Sequence, residues 1–348
     1  MYVQRSGCAA AILFNFVRAL HCHFSPLCIC HTQVSPPLMM MLRAPSARLC
    51  VWGSARGRGM SGVVAQQQGP AAAQLFSHDS AGYAAFRPCY PQALFQWVGQ
   101  QLPQWSGLAL HGLDVGCGTG QATLPLLQLC GEAGRVTACD GSETQLQQLR
   151  LQLRERGEQR VQLLHCAAEQ LPPRVQGVHV VTVAQAMHWL DWEAFYAQLD
   201  RVLLPGGLLV FFGYSLPQLQ HPQARAEVWK FYRELLGPYW DPERQHVDAK
   251  YTSIPLPPFA SSEDKVERKE FVETKEVRLE DYVNYISTWS ALKKYRDANE
   301  DDPLPKLHSR LRELTHADLE EGPEEGSLVL VDYEYFAVLA KKPVEEGG

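Results

Sequence analysis

Residues 112–127, GLDVGCGTGQATLPLL, set Asp114, Gly116, Gly118 and Gly120 at alternate positions just before an apolar segment of helical spacing. Glycines at this density let backbone N–H groups approach a ligand that side chains would hold off. A dinucleotide asks for G-x-G-x-x-G, whose third glycine gives close packing beside the pyrophosphate; that position is Gln121 here. A triphosphate asks for G-x-x-x-x-G-K-[ST], and no lysine lies near the loop. An aspartate would repel a pyrophosphate. It suits, directly or through water, the ammonium of an amino acid whose carboxylate meets the glycine N–H groups at the positive end of the helix. Asp140 ends the next apolar run, where an acidic side chain accepts hydrogen bonds from both ribose hydroxyls. An amino acid joined to a nucleoside without phosphates is S-adenosylmethionine, with Asp114, Gly116, Gly118, Gly120 and Asp140 as its expected binding residues.

Gln185 and His188 follow a further apolar run, at the carboxyl edge where an open α/β sheet binds ligands. Gln185 is expected beside the cofactor. His188 reads either as a core histidine or as a group that touches the acceptor, positioning it or, for a phenol, amine or carbon acid, serving as its base. Trp189, Trp229, Tyr232, Tyr239 and Trp240 each read as packing; as a set they imply an apolar pocket for a small acceptor, lined by Trp189 and Trp240. A serine hydrolase would need a G-x-S-x-G elbow, and none occurs.

These residues need a sheet to position them. LALHGLDV (108–115) reads as a first strand, Gln121 to Cys130 as a helix closed by Gly131, and RVTACD (135–140) as a second strand. Pro125 falls early in that helix, where backbone donors are unpaired anyway. Ser142 and Gln145 have capping-box spacing before a face of Leu146, Leu149 and Leu153. VQLLHCA (161–167) is a third strand and VHVVTVAQA (178–186) a fourth, apolar as a central parallel strand must be. Trp192, Phe195, Leu199 and Val202 form a helical stripe, LPGG turns the chain, and LLVFFGY (208–214) is a fifth strand. After Tyr214 the rhythm breaks into an aromatic helical segment (AEVWKFYRELLGPYW), a proline-rich loop, a strand at 269–277, a helix at 279–292 and a closing strand at 328–342. The expected fold is α/β: a Rossmann-like, doubly wound, seven-stranded, mostly parallel sheet with an antiparallel last strand and a helical lid. Its parts are a cofactor-binding core (75–214), a lid with one sheet strand (215–326), a closing strand (327–342) and a tail (343–348).

The chain has 348 residues, 46% hydrophobic and 20% charged, enough for one large domain with a lid. Residues 1–78 hold six arginines and no acidic residue, so the remainder carries 26 basic against 38 acidic residues, or −12. Such a body is a poor match for nucleic acid. Residues 1–74 read as a disordered leader or an upstream segment, with Met60 as the working start. The cysteines of the body, Cys89, Cys117, Cys130, Cys139 and Cys166, lack framework spacing and read as reduced, buried residues. A cytoplasmic monomer is expected, or a mitochondrial protein if the acid-free leader is a transit peptide. No apolar run approaches the roughly 20 residues of a membrane-spanning helix. HCHFSPLCICH (21–31) has metal-ligand residue types without paired spacing, so no metal is expected.

LDVGCGTG, CDGS (139–142), CAAEQLP (166–172) and LLPGGLLVFF (203–212), in this order and interval, resemble the motifs of class I S-adenosylmethionine-dependent methyltransferases of the type 11 group. YAAFRPCYP (83–91), AQAMHWLD (184–191), GPYW and YISTWSALKKY resemble the trans-aconitate-methyltransferase-like branch. The resemblance covers roughly residues 75–342. It implies methyl transfer from S-adenosylmethionine and a helix carrying Tyr83 and Arg87 that closes over the cofactor, with Arg87 near its carboxylate. It also puts Ala168 on the adenine side; Ala167 and Ala168 stand where many relatives have an Asp, so this contact is expected to be backbone and apolar. The branch implies a carboxylic-acid acceptor, ionised at neutral pH and needing no base. The competing reading is a catalytically silent protein that keeps the cofactor fold and acts through protein partners; the intact glycines, Asp140 and lid speak against it.

Overall fold

The computed structural model describes residues 87–262, 265–316 and 328–344. The readings of residues 1–74, of Tyr83 and its helix, of lid residues 317–326 and of the end of the tail lie outside the described residues. The strands are β1 (His111–Val115), β2 (Arg135–Asp140), β3 (Val161–His165), β4 (Val178–Ala184), β5 (Leu203–Tyr214), β6 (Gln218–Leu219), β7 (Val266–Arg278) and β8 (Leu328–Lys341). β3, β2, β1, β4 and β5 pair in that order, all parallel. β8 runs antiparallel between β5 and β7, and the two-residue β6 continues the β5 side. The expected sheet with its antiparallel last strand is therefore present, with β6 as a short addition.

Burial explains the order. β4 and β5 are nearly continuous buried apolar runs, which only a sheet covered on both faces can hold. β7 has no buried residue and carries Glu, Lys and Arg along its length, as an exposed edge strand should. One face packs helices α1 (Gln92–Gln100), α2 (Thr123–Leu129) and α3 (Glu143–Glu155), with Phe95, Leu126 and Leu149 against Val136, Val210 and Phe212. The other packs α4 (Trp192–Val202), with Phe195 and Leu199 against Val181, Leu209 and Phe211. Alternate residues of β5 thus feed opposite layers.

Several local expectations change. LPGG is drawn into β5: Leu203 pairs with Val178, and the register then slips before Leu208 meets Val180, with Gly206 at φ +78° inside the irregularity. The helix expected over 279–292 is two, α7 (Leu279–Ser287) and α8 (Ser290–Ala298). The N–H and hydroxyl of Thr288 both turn back to the Tyr285 carbonyl, and Trp289 adopts extended backbone that buries its indole in the lid. The aromatic segment forms α5 (Pro222–Lys230), then a wide turn closed by Leu236 N–H to the Phe231 carbonyl at 3.0 Å, which turns Phe231 and Tyr232 inward. α6 (Arg244–Asp248) and α9 (Leu304–His316) complete the described helices. Cys117, Cys130 and Cys139 are buried and Cys166 half-buried, but Cys89 is exposed, contrary to its reading as a buried residue. None of these five is disulfide-bonded to another described residue. No described helix is long and apolar enough to cross a membrane.

Candidate active site

Asp114, near the end of β1, is fully buried. Its Oδ2 accepts from the Thr123 hydroxyl at 2.6 Å and its Oδ1 from the Thr182 hydroxyl at 2.9 Å, so one carboxylate ties the start of α2 and the middle of β4 to β1. Burial pushes its carboxyl up to about 6; the two threonines oppose the shift and the nearby Asp140 adds to it. Asp114 thus shapes the glycine loop from beneath. Its threonine partners escaped sequence reading, although Thr182 inside the apolar β4 run is the kind of buried polar residue that needs a partner.

Gly116, Gly118 and Gly120 all have left-handed backbone, at φ +63°, +54° and +95°. A Cβ on Gly116 would stand 2.6 Å from the Cβ of Ala186, and one on Gly120 would collide with the Leu149 side chain. A Cβ on Gly118 would meet no neighbour closer than 3.8 Å, so this glycine faces open space. Gly118 N–H donates to Asp140 Oδ2 and Ser142 N–H to Asp140 Oδ1, both at 2.8 Å, while the Ser142 hydroxyl caps α3 at Gln145 N–H. Burial holds the Asp140 carboxyl above its ordinary range, opposed by those two N–H groups and by His165. The Thr119 hydroxyl, also in the loop, is buried with no hydrogen-bond partner among the described residues. Ala168 is buried at the start of a short 3₁₀ turn beyond β3, two residues past Cys166, whose N–H donates to the Asp140 carbonyl at 3.2 Å.

A second group gathers past β4 and β5. Gln185 sits at φ +52°; its N–H donates to the Phe212 carbonyl at 2.7 Å and its Oε1 accepts from Tyr214 N–H at 3.1 Å. It joins the carboxyl ends of the two strands. His188, in the 3₁₀ turn Met187–Trp189, is buried, with Nδ1 2.9 Å from the Tyr251 hydroxyl. Burial, helped by Arg244 and His246, lowers its pKa to about 3. A ring kept neutral in this way is a hydrogen-bonding group and a weak base.

His188, Gln185, Trp189, Trp240 and Arg87 line one cavity of about 50 Å³. Sequence reading divided these five between cofactor and acceptor. Arg87 lies in a non-helical stretch before α1. It donates from Nη1 to the Tyr214 hydroxyl and from Nη2 to the Thr288 carbonyl, each at 3.1 Å. Trp229 and Tyr239 pack in the lid instead. Arg244, Asp241, Trp289 and Ser290 complete the lining and were not singled out from sequence. Arg244 lies 5.2 Å above the Trp240 ring; its Nε donates to the Tyr232 hydroxyl at 2.8 Å and pairs with Asp248 at 3.3 Å. Nothing local in the polar DPERQHVDAK marks it out, because its neighbours come from elsewhere in the lid. Among the described residues no three His, Cys, Asp or Glu side chains gather to hold a metal; residues 21–31 lie outside them.

The family model described as "Methyltransferase domain" matches residues 113–207, which contain the glycine loop, Asp140, Ala168, Gln185 and His188. A solved structure from Anaeromyxobacter dehalogenans, described as "a Putative Type II Methyltransferase", is 32% identical, covers 75% of this chain and 100% of its own, and superposes with a TM-score of 0.60. A "Putative methyltransferase" of Dictyostelium discoideum is 29% identical over 269 residues, 77% of this chain and 94% of the relative. A "Probable S-adenosylmethionine-dependent methyltransferase" of Saccharomyces cerevisiae is 23% identical over 266 residues, 69% of this chain and 89% of the relative. Sheet order, glycine loop and these relatives agree, and the chain belongs to the class I S-adenosylmethionine-dependent methyltransferases.

Proposed function

We propose that this chain transfers a methyl group from S-adenosylmethionine to a small acceptor carrying a carboxylate on an apolar body. The carrying observation is that Arg87 and Arg244 line, with Trp189, Trp240 and Trp289, one cavity beside Gln185 at the carboxyl ends of β4 and β5.

The loop suits the cofactor. Gly118 offers an open face, Asp140 keeps unused lone pairs beside it, and Thr119 holds a buried hydroxyl without a partner. In this reading Gly116, Gly118, Gly120 and Asp140 hold the amino-acid and ribose parts, Asp114 braces them, and Ala168 lies along the adenine. When bound, S-adenosylmethionine supplies an electrophilic methyl group on a sulfonium.

The chain's own work is alignment and exclusion of water. The Tyr232 and Asp248 contacts of Arg244 run through Nε, and a guanidinium matches a carboxylate in two parallel hydrogen bonds. Trp189, Trp240 and Trp289 give the cavity its apolar wall. A carboxylate acceptor is already ionised at pH 7, so His188 need only donate or accept a hydrogen bond as a neutral ring. The resemblance to the trans-aconitate-methyltransferase-like branch supports the same acceptor class. The −12 body argues against nucleic acid as a partner, and the cysteine usage of the sequence supports a reducing, intracellular compartment.

Calorimetric titration with S-adenosylmethionine and with NAD, on the chain and on Asp140→Ala, tests the cofactor. Binding of the first alone, weakened in the variant, followed by labelled-methyl transfer to small carboxylic acids in preference to phenols and amines, is the expected result. Absence of S-adenosylmethionine binding would overturn the reading and favour a protein that acts through partners.

A further inference from the structure

Cys139 precedes Asp140 in β2, and Cys166 lies one residue past the end of the neighbouring parallel strand β3. In the β2–β3 register Cys139 faces Leu164 and Asp140 faces His165, so Cys166 lies two places beyond the partner of Cys139 and on the same side of the sheet. Both side chains belong to one apolar cluster with Leu164 and Ala168, and each thiol shifts the titration of the other. Cys139 is fully buried; Cys166 is half-buried and within reach of solutes.

The two thiols are unlike. The Cys139 S–H stabilises a thiolate at Cys166; burial opposes this, and His165 and Arg174 add to it, with the outcome that Cys166 ionises below the ordinary thiol range. Cys139, holding the shared proton in an apolar site, is pushed well above that range. The half-buried Cys166 is therefore the sulfur a solute reaches first, and the fully buried Cys139 is the thiol behind it.

We propose that Cys166 and Cys139 form an oxidation site for hydroperoxides, at which Cys166 is oxidised first and Cys139 then closes a disulfide across β2 and β3. In the first step the Cys166 thiolate attacks the terminal oxygen of the peroxide: an S–O bond forms, the O–O bond breaks, the sulfur loses two electrons, and the departing alkoxide or hydroxide takes a proton from solvent and leaves as alcohol or water. In the second the Cys139 sulfur attacks the sulfenic acid: an S–S bond forms, the S–O bond breaks, and the departing hydroxide takes the Cys139 proton and leaves as water. A disulfide needs Cβ atoms about 3.8 Å apart. Closing it draws Cys166 toward β2 and takes Ala168, two residues on, across the loop beside Asp140. That consequence, closure of the adenine side, rests on the proposed cofactor site; the chemical step does not.

The test is limited oxidation of the full chain with hydrogen peroxide, alkylation of remaining thiols, and peptide mapping by mass without reduction. A peptide joining Cys139 to Cys166 is expected, two hydrogen atoms lighter than its reduced parts. Cys139→Ser should leave a sulfenic acid at Cys166 that a cyclic dione traps, and Cys166→Ser should abolish both products. Cys166 remaining alkylatable, or linking to Cys117 or Cys89 instead, would overturn the proposal. S-adenosylmethionine titrations before oxidation, after it and after dithiothreitol should show affinity falling at least about tenfold and returning. A reduced chain that binds no S-adenosylmethionine would sink the cofactor reading, whereas the crosslink is judged by mass alone.

Discussion

The Nδ1 of His188 and the hydroxyl of Tyr251 lie 2.9 Å apart, and Tyr251 holds that position from a left-handed backbone at φ +59°. Lys250 precedes it at φ +50°. Left-handed backbone at a non-glycine residue stores about 1–3 kcal/mol. Edge-to-face packing of the Tyr251 ring on Phe336, with centroids 5.1 Å apart, helps to offset it.

Tyr251→Phe should therefore expose the role of the pair. It keeps the ring packing but deprives a buried Nδ1 of its partner, which costs about 1–3 kcal/mol. Urea unfolding should report that loss, and the acceptor KM should rise more than kcat falls. Unchanged stability and KM would mean that packing alone holds His188.

Acid stability should show two opposed effects. His188, at about 3 in the folded chain against an ordinary 6.5, is protonated first in the unfolded chain, so its contribution to stability is lost as pH falls from about 6.5 toward 3. Asp114, at about 6 against an ordinary 3.8, is protonated first in the folded chain, so stability is gained as pH falls from about 6 toward 4. At about 1.4 kcal/mol per unit of pH the two nearly cancel between pH 6 and 4. Asp114→Asn removes the gain and should lose roughly 2–3 kcal/mol more than the parent over that interval. Equal slopes for the two proteins in urea unfolding at pH 6, 5 and 4 would refute the assignment.

Gly118→Ala and Gly120→Ala should separate binding from packing. Both force a side chain into left-handed backbone, at about 1–2 kcal/mol. Gly120→Ala adds a collision with Leu149 worth roughly 1–3 kcal/mol more, and should lower the melting temperature markedly. Gly118→Ala points into open space, so its larger effect should fall on S-adenosylmethionine affinity. Calorimetry and thermal melts on both variants check the contrast.

Arg244→Met should raise the KM for a carboxylic acceptor by about 10- to 100-fold, the loss of a charge-assisted contact of roughly 1.5–3 kcal/mol. Cofactor affinity should stay within about twofold, well under one such contact. Arg244→Lys, which keeps the charge but not the fork, should recover part of the loss. A parallel loss of cofactor affinity would place Arg244 on the other side of the site.

The core was legible because its signals are local. Glycine spacing encodes left-handed backbone at 116, 118 and 120, the Ser142 cap is a side chain answering a nearby N–H, and unbroken apolar runs demand a two-sided sheet. The lid was legible only in outline. Arg244, Trp289 and Tyr251 take their meaning from residues distant in sequence, and the break at Thr288 follows from where Trp289 must pack. Arg87 was read beside the cofactor by resemblance; its bonds to Tyr214 and Thr288 come from segments 127 and 201 residues away, which no local pattern announces.

Those two bonds make Arg87 a point of thermodynamic exchange. A cavity of about 50 Å³ is far below the several hundred Å³ that enclose a small ligand, so the proposed acceptor site requires its lining to move apart. If the α7–α8 junction is the part that moves, the guanidinium exchanges the Thr288 carbonyl for a ligand carboxylate, one oxygen for another. Occupancy and opening are then reciprocal: a substitution that loosens the junction at Thr288 raises apparent acceptor affinity by the same free energy with which the acceptor loosens the junction.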